Sequence, residues 1–298
     1  RRVLLAEVDN AKPTLGGYFD RPIGFEPVRV AVNLDAINID FLGALRSFLF
    51  DAIPVERLVK LILRNRIVRT FLVATPGARE MVVLGRVRRL AQLTRDRHDD
   101  EGWDHLIVDM PASGHAVSTL STPVTARKLF KVGPIRKEAE QLLAEFNDPE
   151  HVALVMVSIS EEMSINETLE TMAKVRAAGW PPLAGVVLNR FPRVAFDATD
   201  AGLLGQVGAS VDAPAGDGRA FGDTGLADRG PGNAPVVLEA ASASLIEARR
   251  SAEALRRLEH STGGAVQRLP FVPGGSVEVA HQLAEIIGQN FGDEGGAP

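Results

Sequence analysis

The chain has no cysteine among its 298 residues. Disulfides and thiolate metal sites are excluded, and nothing in the fold depends on the redox compartment. It also lacks any run near the roughly 18 apolar residues that a membrane helix requires. The opening Arg1-Arg2-Val3-Leu4-Leu5-Ala6 has the charge-then-apolar profile of a leader. Glu7 and Asp9 interrupt it too early for a secretory segment, so a cytoplasmic protein is expected. Excess charge is small: a net −5 gives no general attraction to nucleic acid or anionic membrane, although local basic patches remain possible. No nucleic-acid partner is expected.

What is present is ordinary for a globular chain, with 45% hydrophobic and 24% charged residues. At this length one large α/β domain fits as well as two small ones. Val3 to Val8 is an apolar run closed by Asp9 and a turn-forming Asn10-Ala11-Lys12-Pro13, the profile of a buried parallel strand with polar chemistry at its carboxyl end. Val28 to Leu34 is a second strand candidate. From Asp40 the period becomes helical: Phe41, Leu42, Leu45, Phe48 and Leu49 share a face, and Val55, Leu58, Val59, Ile62 and Leu63 repeat the pattern after Pro54. Glu80 to Arg95 reads as an arginine-rich helix.

His105 to Val108 is another buried strand ending in a carboxylate, Asp109. Helices are expected between Thr125 and Phe146, a strand over Val152 to Val157, a helix over Ile165 to Ala178, and a strand over Leu183 to Leu188 ending at Asn189. This alternation predicts a doubly wound, mostly parallel sheet with helices on both faces, plus a helical subdomain around 40–70 and 123–146. Residues 197–233, rich in Gly, Ala and Asp, read as a flexible insertion. Leu238 to Leu258 is expected as a helix, Ala265 to Leu269 as a strand and Val277 to Ile287 as a closing helix, before a disordered tail over 292–298. In doubly wound sheets ligands bind at the carboxyl ends of strands, where Asp9, Asp109 and Asn189 fall.

The segment Val108-Asp109-Met110-Pro111-Ala112-Ser113-Gly114-His115-Ala116 is the most specific. A strand-end carboxylate can hold Mg²⁺ through its waters, because a hard cation prefers oxygen ligands. Gly114 permits close backbone approach to a phosphate. Read alone, the segment fits an ordinary strand-end turn equally well. It resembles the Asp-Thr-Ala-Pro-Thr-Gly-His switch segment of the ArsA-type anion-transporting ATPases and their relatives that target tail-anchored membrane proteins, with Asp109, Pro111, Gly114 and His115 matching. The resemblance implies a P-loop NTPase fold, ATP and Mg²⁺ as ligands, and ATP hydrolysis that drives a conformational switch. By the same resemblance Asp109 would hold Mg²⁺ in its second shell, Gly114 would meet the terminal phosphate, and Asp9 would orient the attacking water. The usual Asp-Pro-Ala-His continuation is replaced by Asp9-Asn10-Ala11-Lys12. Asn189 would read the adenine edge, which an amide suits as both donor and acceptor. Phe271 and Pro273, in Pro270-Phe271-Val272-Pro273, would pack on the base. Thr75-Pro76-Gly77-Ala78-Arg79-Glu80 resembles a family helix opening, where Glu80 needs only a structural role.

The family's phosphate loop, Gly-Lys-Gly-Gly-Val-Gly-Lys-Thr, is not in these residues. Its expected place is one βα unit before Arg1, some ~30 residues upstream, so the first βα unit of the fold is absent here. The chain opens on Arg directly at a strand, as a fragment would, and this polypeptide alone is expected to bind ATP poorly. The lack of cysteine also excludes a thiolate arsenite site and a Cys-x-x-Cys zinc clasp between subunits, so the resemblance is to the ATPase and not to an arsenite pump. A homodimer or heterodimer is implied, with a membrane protein or hydrophobic client as a further partner. Two other readings stay open. The chain could be an inactive paralogue that scaffolds an active subunit. Alternatively, its Phe41 to Leu63 helices could form a groove for a client helix, although such stripes more often form core.

Overall fold

The computed structural model describes residues 1–8, 13–53, 55–66, 75, 77–95, 102–111, 113–178, 181–192, 234–264 and 266–291. Asp9, the insertion at 197–233 and the tail at 292–298 lie outside these. The chain divides into two compact units: residues 1–154, 170–184 and 275–278 form one, and residues 155–169, 185–274 and 279–298 form the other.

The first unit contains a four-stranded sheet in the order β2-β3-β1-β4, comprising β1 (Val3–Val8), β2 (Val28–Ala31), β3 (Leu34–Ile39) and β4 (His105–Asp109). β1 runs parallel to both β3 and β4. The expected single strand over Val28 to Leu34 is instead a hairpin, with β2 antiparallel to β3. Its two-residue turn, Val32-Asn33, places Asn33 at φ 61°, a left-handed conformation that Asn tolerates because its short polar side chain can bond locally. The turn escapes a reading by hydrophobicity because Val32 continues the apolar run; it is nevertheless 89% exposed.

The helices of this unit are α1 (Leu15–Phe19), α2 (Phe41–Ala52), α3 (Glu56–Arg64), α4 (Ala78–Arg95), α5 (Ser113–Leu129) and α6 (Pro134–Phe146). Asp40 starts α2 by accepting the Gly43 amide at 2.9 Å, satisfying one of the helix's free N–H groups. Leu4, Ala6 and Val8 of β1 meet Phe41, Leu45 and Leu49 of α2, Val59 of α3, and Val82, Val83 and Leu90 of α4 in one core. Met81 and Leu84 of α4 join a second core with Leu120, Ala126, Leu142 and Phe146. α4 therefore buries two faces, so its sequence shows little one-sided stripe. Phe41 and Leu45 are core residues, 7% and 3% exposed. Of the apolar stripe, Phe41 and Leu45 therefore belong to the core, and the apolar residues that α2 and α3 leave outside are Leu42, Leu58 and Leu61.

The second unit holds a three-stranded sheet in the order β5-β6-β7, from β5 (Leu154–Ile159), β6 (Leu183–Phe191) and β7 (Gln267–Pro270), with β6 and β7 parallel. Its helices are α8 (Ala234–Thr262) and most of α9 (Ser276–Phe291), and α7 (Glu162–Ala178) begins in this unit and ends in the first. The architecture is mixed α/β, with parallel sheets flanked by helices, as expected of a P-loop NTPase-like fold. No helix among the described residues is long and apolar enough to cross a membrane.

Candidate nucleotide site

The carboxyl ends of β1 and β4 lie side by side, and the parallel register pairs Glu7 directly with Asp109. Glu7 is the one charged residue inside the β1 apolar run, and it is 1% exposed. A carboxylate so buried needs several donors. It has them in the chain that follows the strand: Thr14 donates its amide to Oε1 and Oε2 at 2.9 and 3.0 Å and its hydroxyl to Oε1 at 2.9 Å, and the Leu15 amide reaches Oε2 at 3.3 Å. Glu7 therefore ties the exit of the β1–α1 connection back to the strand that launches it. Asp9 lies between those two anchors in sequence, outside the described residues. Sequence reading missed Glu7; the available signal was a lone carboxylate where a parallel strand should be apolar.

Asp109 occupies the end of β4 with solvent access, and its carboxyl is held above the ordinary carboxylate value. Loss of hydration is the larger cause and the neighbouring Glu7 charge the second. Both effects disfavour a bare anion, and both would be relieved by a cation placed beside it. Pro111 is half-buried, and Gly114 and His115 are exposed in the first turn of α5. The Ser-Gly-His part of this segment is thus helical from Ser113 onward, and not a simple strand-end turn. A Cβ on Gly114 would meet nothing within 4 Å, so no protein atom crowds the space beside it.

The other expected residues sit together at the carboxyl ends of β6 and β7. Phe191 pairs with Pro270 in the parallel register, and the Phe271 amide donates to the Phe191 carbonyl at 2.8 Å. Phe271 leaves 52% of its surface exposed while Val272 is buried beneath it. Asn189, half-buried, accepts the Arg190 amide at 2.8 Å through Oδ1. That bond fixes its carboxamide near a left-handed Arg190 at φ 55°. Pro273 is exposed in the same loop. Asp109, Pro111, Gly114 and His115 thus gather in the first unit, and Asn189, Phe271 and Pro273 in the second.

Asp109, exposed at its strand end, offers the carboxylate oxygen that suits a hard divalent ion such as Mg²⁺, while the oxygens of Glu7 are taken up by Thr14 and Leu15. Residues 1–146 match the family model of the anion-transporting ATPases. ATPase BagA of Mycobacterium tuberculosis H37Rv is 22% identical over 195 residues, 64% of this chain and 56% of that protein. A candidate ATPase of Mycobacterium bovis matches to the same extent. The chain thus spans a little over half the length of the curated relatives it matches.

Proposed function

We propose that the whole protein, whose residues 1–146 match the family model of the anion-transporting ATPases, is a Mg²⁺-dependent ATPase whose nucleotide state alters its conformation. The observation that carries this reading is the placing of Asp109 beside Glu7 at adjacent parallel strand ends, where burial first and the Glu7 charge second raise its carboxyl above the ordinary value. Asp109 would hold the metal through water, and the metal would supply charge neutralisation for the transferred phosphoryl group. Gly114 offers a backbone approach free of side-chain crowding, suited to a terminal phosphate. Asp9 would orient the attacking water, and Glu7 fixes both ends of the segment that carries Asp9. Asn189 would read adenine, with Phe271 and Pro273 against the base.

The phosphate cradle of such an enzyme would lie beside Asp109. β4 ends its sheet with no neighbour on its outer side among the described residues, and Ile107 on it is 54% exposed. Parallel sheets rarely leave such a strand open. A further parallel strand added there would bring its carboxyl-terminal loop beside Asp109, the place a phosphate loop requires. The protein would act in the cytoplasm as a dimer. Turnover of ATP by the whole protein tests the reading, with Asp9→Asn lowering kcat by about 100-fold or more. A folded whole protein that hydrolyses no ATP would support the inactive scaffold instead. Client binding is a second reading, favoured by the exposure of Leu42, Leu58 and Leu61 at 53%, 45% and 65%. Crosslinking to an apolar helical peptide, abolished by Leu58→Asp with Leu61→Asp, would support it.

A further inference from the structure

The chain is acidic overall, yet residues 127–137 read Arg-Lys-Leu-Phe-Lys-Val-Gly-Pro-Ile-Arg-Lys, with five cations in eleven residues and no carboxylate. This segment runs from the last turn of α5 through the connecting residues 130–133 into the first turn of α6. Arg127, Lys128, Lys131 and Lys137 are exposed. Lys128 and Lys131 make no ion pair among the described residues. Between the cations stand apolar side chains that the fold leaves outside: Leu129 is 69% exposed, Val132 84% and Phe130 37%. Scattered exposed apolar residues need no explanation, but three within four consecutive positions, flanked by free cations, do.

The turn is also built to keep its shape. Arg136 donates from Nη1 to the carbonyls of Arg127 and Phe130 at 3.1 and 3.3 Å, closing the carboxyl end of α5 with a cation. Its other terminal nitrogen pairs with Glu140 at 2.8 Å. Gly133 turns the chain at φ 97°, where a side chain would be strained, and Pro134 then opens α6. An ordered turn presenting apolar tips among lysines loses little conformational freedom on docking.

We propose that the α5–α6 turn is a contact surface for an anionic phospholipid bilayer, with Leu129, Phe130 and Val132 entering the headgroup boundary while Arg127, Lys128 and Lys131 meet the lipid phosphates. The mixture decides between polyanions. Nucleic acid would be served by cations and stacking aromatic rings, whereas aliphatic Leu129 and Val132 have nothing to gain from it. At an anionic interface both kinds of side chain are favoured together. The inference does not rest on nucleotide hydrolysis.

The test is co-sedimentation of the full chain with vesicles of phosphatidylcholine containing 30% phosphatidylglycerol, against phosphatidylcholine alone. Binding is expected only to the anionic vesicles, and it should weaken as salt rises from about 50 to 500 mM. Each cation near such a surface contributes roughly fivefold, so Lys128→Gln with Lys131→Gln should weaken partitioning by about 25-fold. Leu129→Ser with Val132→Ser should weaken it by about tenfold or more at unchanged charge. Absence of binding to the anionic vesicles overturns the proposal. So does binding by either double variant equal to that of the unaltered chain, or tight binding to a single-stranded RNA oligomer without vesicle binding.

Discussion

Arg88 on α4 donates from Nε and Nη2 to the two carboxylate oxygens of Glu138 on α6 at 2.9 and 3.0 Å. The two residues are 6% and 7% exposed. Gly85, one turn before Arg88, lies so close that a Cβ there would come within 3.0 Å of Glu138 Oε1, so the carboxylate is held against the helix backbone. Arg88→Ala would leave Glu138 buried without its partner, and Glu138→Ala would do the reverse. Removing one member of such a pair costs about 3–5 kcal/mol, because the survivor keeps its desolvation penalty and loses its compensation. At about 2–4 °C per kcal/mol, the thermal midpoint should fall by roughly 6–20 °C. Replacing both, Arg88→Met with Glu138→Leu, should recover most of the loss, since well-packed apolar residues often equal a buried pair. Urea unfolding of the three variants, at an unchanged slope, reads these differences directly. Single variants costing under about 1 kcal/mol, or a double variant as damaged as either single one, would refute the reasoning.

Asp35, itself buried, titrates below the ordinary carboxylate range: burial alone would raise it, but the Trp103 indole N–H at 2.7 Å, Arg29 and Arg2 together outweigh that. Because the folded value is depressed, the stability Asp35 contributes is present above about pH 3.8 and disappears as pH falls through the lower folded value. Asp35→Asn should therefore destabilise by about 1–2 kcal/mol at pH 7, Arg29 being exposed and screened, with the difference from the unaltered chain closing in strong acid as followed by thermal melts. Gly43→Ala should cost about 1–3 kcal/mol in urea unfolding, because a Cβ there would overlap the Phe25 ring that packs beneath α2. A neutral Gly43→Ala would mean that Phe25 swings aside freely, despite the Arg86 guanidinium stacked on it at 4.9 Å.

Much of the fold was legible because it obeys local rules. β1 and β4 announce themselves as apolar runs closed by carboxylates, and Asp40 marks the start of α2 as a helix-capping residue should. The hairpin was not legible, since Val32 disguises its turn and only Asn33 signals it. Nor was the division of apolar residues on α2 and α3: periodicity finds a stripe, but only packing tells Phe41 and Leu45, which meet the sheet, from Leu42, Leu58 and Leu61, which do not. At the candidate site, Asp109 and Asn189 were visible because motifs name them. Glu7 was not, because its importance comes from Thr14 and Leu15 folding back onto it. The α5–α6 turn was invisible to net charge, which averages its five cations against acids elsewhere.

On this reading the carboxyl ends of β1 and β4 hold a metal–nucleotide complex. Paramagnetic resonance of Mn²⁺ titrated into the whole protein with ATP measures this most directly. The expected result is a bound, broadened Mn²⁺ signal that requires ATP and weakens at least about tenfold in Asp109→Asn. A bound signal of equal strength in Asp109→Asn would contradict it.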